Sequence, residues 1–142
     1  MSEGMASGAH FTWQVRVYWE DTDAGGIVYY ANYLRFLERA RTEWLRAKGF
    51  EQGALLADER IQFAVVEVGV AYRAPARYGD LLEVTARVQE CRKASISFAQ
   101  EVRRLPDRQL LVEATVRAAS LDADHLRPRP LPSGMREALL DG

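Results

Sequence analysis

The chain is poor in the residues that most catalytic sites are made from. It has one cysteine, Cys91, which excludes an intramolecular disulfide and any cysteine-rich zinc site. Its two histidines, His10 and His125, lie far apart in expected loop or tail positions. With no G-x-S-x-G elbow either, a Ser-His-Asp hydrolase is not indicated. There is no HExxH, no phosphate-binding glycine loop of either common type and no EF-hand loop, so no metal site is expected. Charge of one sign is also lacking: the net charge is -1, which leaves no basic footprint for nucleic acid or an anionic membrane. No apolar run approaches the roughly 18 residues that span a bilayer. Met1 to His10 lacks the basic start and apolar core of a secretory signal, so a cytoplasmic location is expected.

What remains is an ordinary globular composition. Hydrophobic residues make up 48% and charged residues 27% of 142, which suits one domain. Residues 1 to 10 are small and polar and are expected to be loose, leaving 11–142 as the domain. Trp13 to Trp19 alternates, with Trp13, Val15, Val17 and Trp19 on one side, and reads as a strand. Asn32 is placed to cap a helix through its amide oxygen. From Tyr33 the apolar set Tyr33, Leu37, Ala40, Trp44 and Ala47 recurs at helical spacing, flanked by Leu34, Phe36 and Leu45. The stripe is broad, so the helix should be largely buried. Gly49 is where it should stop. Gly53 to Arg60 reads as a further short helix.

The period then changes. Ile61 to Tyr72 is valine-rich and reads as a long strand. Three more alternating runs follow, through Leu82 to Val88, Ile96 to Val102 and Leu110 to Ala118, with a turn at Pro106-Asp107. Three of the five prolines punctuate 128–132, before a short helix over Gly134 to Leu140. One strand, a long helix and four strands argue an α+β domain with an antiparallel sheet. One helix covers one sheet face, so the other face and the edges call for a second copy.

The chemistry has few places to reside. Cys91 sits beside Arg92 and Lys93, and basic neighbours lower a thiol pKa. Without a histidine base, a packed thiol is the better reading. Asp21 and Asp23 precede Gly25-Gly26 and the apolar run Ile27 to Tyr30. Loop aspartates before glycines usually serve turns and caps. Here the apolar run draws the loop toward the core, where a carboxylate can act as base or nucleophile. Free N–H groups at the following helix start can polarise a carbonyl. This pairing supplies no strong acid, so it suits a leaving group that departs readily. A thiolate, from a thiol of pKa about 8.5, is one. The residues alone point to an activated ester or thioester, if to catalysis at all.

The stretch Tyr18-Trp19-Glu20-Asp21-Thr22-Asp23-Ala24-Gly25-Gly26-Ile27-Val28-Tyr29-Tyr30-Ala31-Asn32-Tyr33, followed by Phe36-Leu37-Glu38-Arg39-Ala40-Arg41-Thr42-Glu43, resembles the hot-dog-fold acyl-CoA thioesterases of the 4-hydroxybenzoyl-CoA thioesterase superfamily. It is most similar to their YbgC-like, Tol-Pal-associated branch. The likeness continues through Tyr72-Arg73-Ala74-Pro75, Asp80-Leu81-Leu82-Glu83, Arg92-Lys93-Ala94-Ser95 and Arg127-Pro128-Arg129-Pro130. It spans nearly all of Val15 to Leu139.

The resemblance implies a hot-dog fold: a long central helix wrapped by an antiparallel sheet of about five strands. Two subunits would join their sheets, often as a tetramer of two such dimers. Asp23 would be the catalytic carboxylate, as nucleophile or general base, and a backbone N–H near Tyr30 would bind the thioester oxygen. Gly26, Ile27, Val28, Asn32 and Tyr33 would line the substrate site. Arg92 and Lys93 match a basic pair suited to CoA phosphates, although an exposed basic strand end explains them equally well. No cofactor is implied beyond the CoA of the substrate. One residue departs from the pattern: the YbgC-like branch usually has histidine at the position of Tyr30, and tyrosine there resembles the 4-hydroxybenzoyl-CoA branch. Two other readings compete. A non-catalytic hot-dog module would bind acyl-carrier or envelope-associated proteins. A hot-dog dehydratase would want a second acid-base group, and no histidine lies near the motif.

Overall fold

The computed structural model describes residues 10–140. The loose segment expected at 1–10 lies outside the described residues, apart from His10. That residue opens strand β1, His10–Arg16. Helix α1 is Tyr33–Ala47. A short helix α2, Gln52–Ala54, runs into a π-type turn, Leu55–Glu59. Four strands follow, β2 Ile61–Tyr72, β3 Leu81–Cys91, β4 Ser95–Leu105 and β5 Gln109–Asp122, and then α3, Met135–Leu140. The sheet is antiparallel throughout, in the order β1-β3-β4-β5-β2. This is the expected α+β arrangement of a long helix against a five-stranded sheet.

The first strand is shorter at its far end than its alternation suggests. Val17 still bonds the sheet side, donating its N–H to Asp80. Beyond it the Asp21 carboxylate accepts the Tyr18 N–H at 2.9 Å, and Trp19–Asp21 curl into a 3-10 turn. Trp19 therefore leaves the strand's apolar side. It stacks on Tyr78 with ring centroids 3.9 Å apart and stays 65% exposed.

The helix is buried on one side only, so the expectation of a largely buried helix is too strong. Tyr33, Phe36, Leu37, Ala40, Arg41, Trp44 and Leu45 face the sheet, while Leu34 and Ala47 are exposed. Packing falls mainly on β3 and β1. Truncating a fully buried residue such as Leu37 to alanine would cost about 2–5 kcal/mol. Gly49 ends the helix as expected. At φ +91° it donates to Arg46, and Phe50 donates to Leu45, the paired bonds of a Schellman stop.

Arg41 belongs to the buried stripe despite its charge. It donates to Gln100 at 2.9 Å, and Gln100 in turn donates to the carbonyls of Leu37 and Thr85. That link fastens helix to sheet, and burial lowers the guanidinium pKa against the opposing pull of Glu38.

The inner sheet face carries Val15, Leu82, Val84, Ile96, Phe98, Val102, Val112 and Val116. The outer face is polar, with Glu83, Glu101, Arg103, Glu113 and Arg117 forming ion pairs across or along strands. Strand β2 is an edge. A bulge between Val65 and Glu67 leaves Val65, Val66 and Val68 exposed. The proline segment pairs back on β5 through Pro128 and Arg129, and the Leu131 N–H donates to the Lys93 carbonyl in the turn between β3 and β4. It delivers Met135 and Leu139, both fully buried, to the cluster around Trp44.

Candidate active site

The loop after β1 is closed by its own backbone. Thr22 pairs with Val28, the Asp23 N–H donates to Ile27 at 2.8 Å, and the Gly26 N–H returns to Asp23 at 3.1 Å. The turn requires Gly26 at φ +80°, a region that side chains with a Cβ rarely enter. The neighbouring segment 76–80 clamps the loop from outside. Val28 donates to Ala76, and Tyr78 donates to Gly26.

The two aspartates have separate tasks. Asp21 uses both carboxylate oxygens on protein donors, Oδ2 on the Tyr18 N–H and Oδ1 on Asn32 Nδ2 at 2.8 Å. Asp23 accepts one bond, from the Gly25 N–H to Oδ1 at 2.8 Å. Its Oδ2 makes no hydrogen bond among the described residues, and the side chain is exposed. One aspartate builds the loop, and the other is presented by it.

Across the closed loop the chain enters a second 3-10 turn, Tyr30–Asn32, and then α1. The Asn32 N–H donates to Tyr29, and the Tyr33 N–H reaches back to the Ala31 and Tyr30 carbonyls. The N–H groups of Tyr30 and Ala31 make no backbone bond among the described residues. They are the free donors expected at a helix start. Asn32 does not cap α1, which corrects the sequence expectation. It already has helical backbone angles, and its side chain makes no cap bond. Its amide serves Asp21 instead.

The remaining predicted residues divide. The Tyr30 side chain is 62% exposed and tilted against Tyr29 at 4.7 Å, and the neighbouring Tyr30 phenol raises the Tyr29 pKa. Ile27 is half-buried beside Arg77. Val28 and Tyr33 are core residues, 4% and 3% exposed. The Tyr33 hydroxyl accepts the Ala76 N–H at 2.9 Å, and burial raises its pKa. Arg92 and Lys93 lie apart from all of these. They occupy the turn at the end of β3, whereas the Asp23 loop sits at its start. Ten residue steps of strand separate them, about 33 Å. Arg92 pairs with Glu90 at 3.2 Å on the surface. Burial raises the Cys91 pKa, as suits a packed thiol. No group of three or more His, Cys, Asp or Glu forms a metal cradle among the described residues.

Two features of the site escaped the sequence reading. The Tyr72 hydroxyl, from the end of β2, donates to the Tyr30 carbonyl at 3.1 Å. The Trp19–Tyr78 stack walls the loop on its outer side. Both join residues distant in sequence, and only the aromatic enrichment near 18–33 and 72–78 hinted at them.

A family model for the thioesterase-like superfamily matches residues 17–139. The chain belongs to the thioesterase-like superfamily. It is 46% identical over 125 residues to the acyl-CoA thioester hydrolase YbgC of Escherichia coli, covering 88% of this chain and 92% of that protein. Among solved structures it superposes on Slr0204, a 1,4-dihydroxy-2-naphthoyl-CoA thioesterase from Synechocystis, with TM-score 0.87 at 24% identity, over 93% of this chain and 96% of that one. An Asp-to-Asn mutant of 4-hydroxybenzoyl-CoA thioesterase, complexed with 4-hydroxybenzoyl-CoA, matches with TM-score 0.85 at 24% identity, over 93% and 99%. The fold is thus that of the hot-dog thioesterases, and the chain is a thioesterase. Its Asp23 and Tyr30 regions fall within the matched span.

Proposed function

We propose that this thioesterase hydrolyses an acyl-CoA to the free acid and CoA, with Asp23 as the reacting carboxylate. The observation that supports it most directly is the division of labour in the loop. Asp23 presents one oxygen with no protein donor on it, and the free Tyr30 and Ala31 N–H groups stand across the same closed loop. As nucleophile, the Asp23 oxygen would attack the thioester carbon. The C–S bond would break, CoA would leave as thiolate, and water would then hydrolyse the mixed anhydride. As general base, Asp23 would instead take a proton from water as that water attacks the same carbon. In both routes the carbonyl oxygen becomes an oxyanion, which the helix-start N–H groups stabilise. In both, the thiolate leaves without a strong general acid.

The working unit in this reading is a cytoplasmic homodimer, with a tetramer built from two such dimers. Strand β2 is a long edge strand, and Val65, Val66 and Val68 on it are exposed. Edge-to-edge pairing of two β2 strands would cover them and seat the acyl chain between subunits. A two-fold partner runs in the opposite direction. Its Arg92–Lys93 turn would therefore share the side of the sheet that carries Asp23 here, within reach of CoA phosphates.

The test is thiol release from short, long and aromatic acyl-CoAs, comparing wild type with Asp23→Asn. Turnover that collapses in the variant, with fold and assembly intact, supports the reaction and the residue. Labelled water in a single turnover identifies the nucleophile route where solvent oxygen enters the Asp23 carboxylate, which happens only when water attacks the aspartyl carbon of the mixed anhydride. Absence of turnover on every thioester would favour the non-catalytic module that binds acyl-carrier or envelope-associated proteins.

A further inference from the structure

The donor turn is held from two sides. On the helix side, the Tyr30 carbonyl accepts the Tyr33 N–H. On the sheet side, it accepts the Tyr72 hydroxyl at 3.1 Å. The Tyr72 ring also packs edge-on against Tyr30, at 6.3 Å, and lies tilted against Tyr33, at 5.7 Å. Tyr72 is the last residue of β2, paired with Val112, so its own position is fixed by the sheet. A trans peptide points its N–H opposite to its C=O. Aiming the Tyr30 carbonyl therefore aims the Ala31 N–H, one of the two free donors. Hydrogen bonds on a carbonyl also polarise its peptide and strengthen the N–H at the other end.

We propose that Tyr72 is a positioning residue for thioester hydrolysis, whose hydroxyl orients and polarises the Tyr30–Ala31 peptide that serves the oxyanion. This deepens the acyl-CoA reading and rests on it. Tyr72 touches neither the thioester nor Asp23 in this scheme. It acts through the peptide it holds. Partial burial raises the phenol pKa, which keeps the hydroxyl a donor through the neutral range.

Two variants test the idea. Tyr72→Phe keeps the ring and removes only the hydroxyl. Its kcat should fall about threefold to tenfold, the range one neutral hydrogen bond spans. KM, melting temperature and assembly should stay at their wild-type values, because the bond matters most when the oxyanion forms. Unchanged kcat would overturn the proposal. So would a loss carried wholly by KM, which would place Tyr72 in substrate binding. The second variant carries 3-fluorotyrosine at position 72, nearly isosteric but more acidic. Its activity should match wild type near pH 6.5 and fall on the alkaline side at a lower pH than wild type. A coincident alkaline limb in the two proteins would overturn the proposal even if Tyr72→Phe folds poorly. Asp23→Asn run alongside separates the failures. Lost turnover there, with both Tyr72 variants silent, removes only the Tyr72 role; a wild type inactive on all thioesters removes the acyl-CoA reading with it.

Discussion

Two turns sit at opposite ends of β3, and they are built on different principles. The loop around Asp23, against the start of β3, is knitted by its own backbone, by the Asp21 carboxylate and by the clamp from 76–80. The Arg92–Lys93 turn, at the end of β3, is a plain hairpin connection. The Arg92 N–H bonds Ser95 across it, the Lys93 and Ala94 carbonyls accept from Leu131 and Ser120, and Arg92 carries one surface ion pair. The first region fixes a carboxylate and backbone dipoles through its own hydrogen bonds. The second offers exposed charge. Preorganised groups can stabilise a transition state, whereas exposed charges mainly contribute to binding. The proposed chemistry and the proposed CoA grip divide along that line.

The sharpest way to break the comparison is Asp23→Asn. It leaves the loop bonds in place and should lower kcat by about 100-fold or more, the scale of a lost base or nucleophile. Steady-state thiol release reads it, and a loss under tenfold would deny Asp23 its role. Gly26→Ala comes next. No atom lies within 4 Å of the added methyl, so the cost is the positive φ alone, about 1–2 kcal/mol. Chemical denaturation should show that loss, with a parallel drop in kcat as the loop is distorted. Asp21→Asn turns one acceptor into a donor facing a donor, either Tyr18 N–H or Asn32 Nδ2. It should cost about 1–2 kcal/mol of stability yet retain more activity than Asp23→Asn. Comparable activity losses in the two would erase the division of labour.

At the other turn the effects should be smaller and of another kind. Removing both charges in Arg92→Ala/Lys93→Ala should raise KM about twofold to fivefold, leave kcat unchanged, and lose its effect at high salt. A fall in kcat would mean that this turn shares in the chemistry. The smallest effect belongs to Tyr30→His, which restores the residue usual in the YbgC-like branch and keeps the backbone donor. Most activity should survive. Complete loss would show that the phenol itself matters.

The elements set by local pattern were readable. Helix α1, its stop at Gly49 and the whole of β2 follow from apolar period and from one glycine in a left-handed turn. Asp23 and the helix-start donors were readable because the loop and the turn lie within ten residues of each other. Asn32 was misread as a cap. Helix starts often use such a side chain, but here a carboxylate eleven residues upstream competed for it and won. Trp19 was misplaced for a similar reason: the Asp21 bond to Tyr18 bends the chain just where alternation would carry it on. The separation of Arg92–Lys93 from Asp23 could not be read either, since it depends on which end of β3 each turn occupies.

By itself the sequence determined which segments are strands and which is the helix, because burial on one face leaves a periodic mark. It marked loop carboxylates beside a helix start as candidates for chemistry, because these show as residue types in a short stretch. The tertiary structure decided which aspartate is occupied and which is free. It brought Tyr72 from β2 onto the Tyr30 carbonyl and left Val65, Val66 and Val68 exposed along the β2 edge strand. Those outcomes depend on hydrogen-bond partners 11 and 42 residues apart and on strand order. Local propensity carries no record of either, because both arise only when the chain closes on itself.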